Sequence, residues 1–194
     1  MRKFTDQQLE EIAHRDLAIL NTVRGFCGLK MYQDAKDELA KASIFSKTLA
    51  DFLEIHSLIS AENNQWRESL RCAEAMIAEE PENEFGYQFR ADAIRHIHGA
   101  SAAFENLAEV VQKFPASPLI RFNLACFASV SGNLFSARKN LIQSFLLADK
   151  TGEVDFFHNL ALNDMDLKPL WPEVSRIIEI SSKLNQQRER KSSC

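Results

Sequence analysis

A 34-residue period, running through most of the chain, constrains this sequence more than any other feature. Ala35, Ser69, Ala103 and Ala137 fall 34 residues apart, and Leu39, Ala73, Leu107 and Leu141 repeat the step. So do Ala42, Met76, Val110 and Ser144, and, upstream in each segment, Val23, Ser57, Ala91 and Ala125. Pro81 and Pro115 keep the same interval. Polar or glycine turns at Gly28, Asn63-Asn64, Gly99 and Gly132 cut each segment in two. Within the halves, apolar residues recur at 3–4 spacing from residue 9 to about 184, and no stretch alternates in the manner of a strand. The expected fold class is all-α, built from helix–turn–helix repeats.

The residue sizes fit that reading. Antiparallel helices approach to about 8–10 Å only where the facing side chains are small, and the series Ala35, Ser69, Ala103, Ala137 supplies a small side chain in every repeat. One helix pair buries too little apolar surface to stand alone, so stability comes from stacking on neighbours.

At these residues the chain resembles the tetratricopeptide repeat (TPR) family. In that register the four repeats are 16–49, 50–83, 84–117 and 118–151. The first carries Ile19, Val23, Phe26, Tyr32, Ala35, Leu39 and Ala42; the fourth carries Leu124, Ala125, Ala128, Gly132, Ala137 and Leu141. The third has its turn glycine one residue late. His56, Arg90 and Arg121 stand where the family pattern is apolar, and Lys47 and Asp149 replace its closing proline. The resemblance implies a right-handed superhelical solenoid of antiparallel helix pairs with helical caps. Residues 1–15 read as a helix, started by Thr5, that leads into the array. Residues 152–184 read as a partial repeat and capping helix, broken at Asn163-Asp164-Met165-Asp166-Leu167 and reopened by Pro172, and 185–194 as a disordered tail.

Charge and motif content narrow the function. The net charge of −4 does not attract phosphate backbones, so no nucleic-acid partner is expected. No apolar run reaches the ~18 residues of a membrane span, no secretory signal is visible, and four scattered cysteines suit a reduced, cytoplasmic compartment. His96 and His98, at i and i+2, point to different sides of a helix and make no metal pair. Asp164 and Asp166 read as helix caps, and Ser131-Gly132-Asn133 lacks a phosphate-loop pattern. Neither a catalytic constellation nor a cofactor or metal is expected; the chain is read as a non-enzyme.

The resemblance implies a concave groove lined by the first helix of each repeat. Carried onto this sequence, the groove candidates are Leu20 and Arg24, Glu54 and Leu58, Phe85, Gln88 and Arg95, and Leu119, Phe122 and Cys126. The aromatic and leucine side chains would form pockets, and Arg24 or Arg95 would hold an acidic group of the partner. The family's clamp for chaperone tails is interrupted here by acidic and apolar residues. The expected function is a protein-interaction adaptor or scaffold for a partner peptide or helix. Alternatives are a secretion-type chaperone, or a structural protein whose Phe156 and Phe157 join two copies into a homodimer.

Overall fold

The computed structural model describes residues 5–43, 46 and 49–192, with side chains to residue 184. Lys47, where the repeat pattern expects a closing proline, therefore lies outside the described residues. Among those described, every regular element is helical. The chain divides into two compact bodies, residues 1–93 and 94–194, with the boundary inside one helix.

The N-terminal body holds α1 (Asp6–Gly28), α2 (Tyr32–Leu39), α3 (Ala50–Glu62), α4 (Trp66–Glu79) and most of α5 (Glu84–His98). Thr5 starts α1 as expected: its Oγ1 accepts from the Gln8 amide at 3.3 Å while Gln8 Oε1 accepts from the Thr5 amide at 3.0 Å. This reciprocal arrangement satisfies two of the donors a helix start leaves open. α2 ends early because a buried carboxylate on α1 captures the backbone just beyond it: Asp16 Oδ2 accepts from the Ser43 amide at 2.9 Å. Ile19, Leu20 and Val23 of α1 share a core with Ala35 and Leu39 of α2 and with Phe52 and Ile59 of α3. The α3–α4 crossing is fixed by Ser57 and Ser69, both buried, whose hydroxyls bond at 2.8 Å. Two small residues let the helices meet, and the mutual bond satisfies the hydroxyls that burial would otherwise strand.

The C-terminal body holds the end of α5, then α6 (Ala100–Ala108) continuing as a 3₁₀ turn over Glu109–Gln112. Next come α7 (Pro118–Val130), α8 (Leu134–Thr151), α9 (Val154–Asn163), a 3₁₀ segment over Met165–Glu173 and α10 (Val174–Ser192). Ser117 caps α7 by accepting from the Ile120 amide at 3.1 Å, and Pro118 at the first helical position costs no hydrogen bond. Ala125 and Ala137, fully buried, lie in one core with Leu141, Phe145, Leu167 and Leu170.

Helices begin at Ala50, Glu84 and Pro118, where the period places repeat starts. Backbone with positive φ recurs at Lys30 (58°), Asn64 (57°), Gly99 (92°) and Gly132 (79°), so the first turn pivots on Lys30 rather than Gly28. Two expectations at the C-terminus are corrected. Pro172 lies inside the 3₁₀ segment and the last helix opens at Val174, because neither Pro169 nor Pro172 can supply an amide donor to a longer-range ladder. Helical backbone then continues to Ser192, where a disordered tail from 185 was expected.

Candidate functional site

The groove candidates separate between the two bodies. In the N-terminal body a cleft of about 420 Å³ opens between α1 and α3. Its apolar lining is Leu17, Leu20, Leu49 and Phe52, and its polar lining includes Asp16, Asp51 and Glu80. Leu20 is only 2% exposed and so forms floor rather than a free anchor; burial against Phe52 and Ile55 is the reason. Leu17, one helical turn before Leu20, is 52% exposed and Leu49 55%; these are the apolar side chains of the lining that a partner would cover.

Carboxylates surround this cleft. Burial pushes the Glu54 carboxyl above its ordinary range, and the negative charges of Asp51 and Glu80 push the same way while Arg24 opposes them. Arg24, expected to hold an acidic partner group, already lies 3.5 Å from Asp51, in a pair whose members are both exposed. Such a pair is worth little and exchanges readily with another partner. Among the described residues, the charged side chains that line the cleft are the carboxylates of Asp16, Asp51 and Glu80. Leu58 on α3 and Gln88 on α5 are half-buried, Phe85 on α5 is 46% exposed, and none of the three lines this cleft.

In the C-terminal body the corresponding face of α7 is covered by the chain itself. Phe122, 2% exposed, packs its ring 5.8 Å from that of Phe157 on α9. Cys126 is 4% exposed and its thiol donates to Asp164 Oδ2 at 3.5 Å. Burial, reinforced by Asp164 and Asp166, pushes that thiol well above the ordinary range, which leaves it inert as a nucleophile. Arg95 makes a two-point ion pair with Asp166, one arm at 2.7 Å, and lies over the Phe127 ring at 5.9 Å from its centroid. Leu119 is half-buried against the same core. Phe122, Cys126 and Arg95 are therefore corrected from open groove residues to the seat of the α9–3₁₀ segment. Phe157 is likewise core, at 3% exposure, which leaves only Phe156 of the expected self-association pair on the surface.

The cap expectation for Asp164 agrees with the structure: its Oδ1 accepts from the Asp166 amide at 2.9 Å at the start of the 3₁₀ segment. His96 and His98 are exposed at the end of α5. The repeat register places Asp51 on the groove face of its repeat, with Glu54 and Leu58, whereas Glu80 lies after the second helix of that repeat and outside the groove positions.

No family model matches the chain, and neither a curated protein nor a solved structure is similar to it. Among the described residues no helix is long and apolar enough to cross a membrane.

Proposed function

We propose that this chain is an interaction module of tetratricopeptide kind, a right-handed solenoid of helix pairs that holds a segment of another protein. The α1–α3 cleft is the binding surface, and its occupant is a basic, amphipathic segment with a leucine-like anchor. The repeat reading draws support from helix starts 34 residues apart and from small, fully buried residues at both crossing positions.

The observation that carries the functional reading is the cleft's composition: exposed Leu17 and Leu49 beside a Leu20–Phe52 floor, with Asp16, Asp51 and Glu80 lining it. An apolar centre inside a polar rim is how interfaces concentrate affinity, and an excess of one charge sign in the rim favours the opposite charge. The α7 face, by contrast, is already occupied by α9 and the segment after it.

A labelled helical peptide with lysines on one face and leucines on the other tests this by fluorescence anisotropy. Wild-type protein is expected to bind it, more weakly as salt rises, and to ignore a version with glutamates in place of lysines. The double variant Asp51→Lys, Glu80→Lys is expected to lose the interaction with its helical circular dichroism intact. Equal binding by wild type and double variant would reject the cleft.

A further inference from the structure

Three side chains between α3 and α4 play no part in that cleft. His56 of α3 and Glu68 and Cys72 of α4 bring an imidazole nitrogen, a carboxylate oxygen and a thiol sulfur all within 4.8 Å of one another. His56 lies about half a turn around α3 from both Glu54 and Leu58, so it serves a different side of the helix. Glu68 and Cys72 are four residues apart and share one face of α4. His56 Nε2 stands 3.7 Å from Glu68 Oε1. Cys72 is 4% exposed, while His56 and Glu68 are half-buried, so the group lies at the edge of the helix crossing with its sulfur inward.

Two features suit this group to a ligand rather than to packing alone. The neighbouring residues in sequence, Ser57 and Ser69, hold the two helices together by the buried hydroxyl pair, which fixes the spacing of the donors one residue away. The donor distances also suit a small ion. Bonds of about 2.0–2.3 Å to nitrogen, oxygen and sulfur in a tetrahedron put the donors roughly 3.3–3.7 Å from one another. The 3.7 Å separation is already there, and the remaining contraction is within side-chain torsion. We propose that His56, Glu68 and Cys72 bind one Zn²⁺ ion, with water completing the tetrahedron.

The donor set selects the metal. Magnesium and calcium take oxygen ligands, whereas a mixed nitrogen–sulfur–oxygen set favours zinc among the abundant divalent ions. Binding replaces the thiol S–H bond with an S–Zn bond and releases that proton to water. Burial, opposed by Arg71, pushes the free thiol up to about 11, so the ion has to displace a firmly held proton. It also has to displace Arg71, which pairs with Glu68 three residues away on the same helix and is itself exposed. An exposed pair of that kind costs little to break.

Cobalt(II) is the probe, because a thiolate–cobalt bond gives a near-ultraviolet charge-transfer band and a tetrahedral site gives strong visible bands. Titration of the full chain, kept reduced, is expected to saturate both at one equivalent, and Zn²⁺ is expected to bleach them. Cys72→Ser should remove the charge-transfer band. His56→Gln, at a half-exposed position that tolerates change, should weaken cobalt binding about tenfold or more with circular dichroism unchanged. A wild-type chain without the charge-transfer band, or a His56→Gln chain that binds as tightly as wild type, would overturn the site.

Discussion

At the scale of single residues, the three polar side chains at apolar positions of the repeat pattern each have a physical account. Arg90 places its guanidinium 5.3 Å from the centre of the Tyr87 ring. Half-buried Arg121 donates to Asn140 Oδ1 at 3.3 Å. His56 faces Glu68. Asp16 is a buried carboxylate with a consequence for stability. It is 1% exposed, and burial by itself would raise its pKa. Hydrogen bonds from the Ser43 and Ser46 side chains, the Ser43 amide and Arg15 win instead, and hold it down from 3.8 to about 2. A carboxyl whose folded pKa lies below its unfolded value stabilises fully above the unfolded value and loses that contribution as pH falls through the folded one. The window here runs from about pH 4 to about pH 2, and the shift corresponds to about 2 kcal/mol. Asp16→Asn is expected to lower stability in urea melts at pH 7 by an amount of that order. The gap between variant and wild type should close as pH falls from 4 to 2. A gap of constant size across that range would show that the charge of Asp16 contributes nothing.

At the scale of helices, what decides packing is where side chains are small. The period made this legible for Ala35, Ser69, Ala103 and Ala137, all of them 0–1% exposed. It did not reveal Gly86, because nothing repeats there. A Cβ added at Gly86 would meet Ile77 Cγ1 at 3.0 Å and the Ile77 amide nitrogen at 3.3 Å, so α5 leans on α4 at that glycine. The side chain of Ile77 can yield by a few tenths of an ångström, but the backbone beneath it cannot. Gly86→Val is expected to cost ~1–3 kcal/mol by overpacking, read as a lowered midpoint in thermal or urea unfolding. A melt indistinguishable from wild type would mean that α4 and α5 do not touch there. Turn positions were legible for the same reason as the crossings. Asn64 and Gly132 each adopt positive φ, which an asparagine tolerates and a glycine adopts without steric cost.

At the scale of the molecule, the groove was the least legible feature. A repeat register assigns Leu119, Phe122 and Cys126 to a helix face, but which distant segment covers that face depends on contacts between residues far apart in the chain. Cys126 meets Asp164, and Arg95 meets Asp166. The aspartates had local explanations as caps, and nothing in their spacing pointed to Arg95. The metal-ligand group was hidden in the same way, since His56, Glu68 and Cys72 become neighbours only when the hairpin closes.

That the chain forms two compact bodies has a testable consequence for the α9–3₁₀ segment. Among the described residues two ion pairs tie it down: Arg95–Asp166, with side chains mostly shielded at 26% and 20% exposure, and the more open Arg138–Glu173 at its far end. Phe157, Leu167 and Leu170 supply the apolar contacts. Arg95→Ala would leave Asp166 half-buried without its cation, a loss of about 1–3 kcal/mol for a charge-assisted pair. Local opening should feel this loss directly, because Asp166 is the point at which the segment meets α5. Amide hydrogen exchange is therefore expected to speed up by roughly tenfold or more over residues 154–171, while α1 and α3, in the other body, keep their protection. Uniform acceleration across both bodies would mean that they unfold as one cooperative unit. Unchanged exchange over 154–171 would mean that the apolar contacts and the Arg138–Glu173 pair hold the segment without Arg95. The expected, localised response would show that Arg95 helps to hold the segment that covers the α7 face.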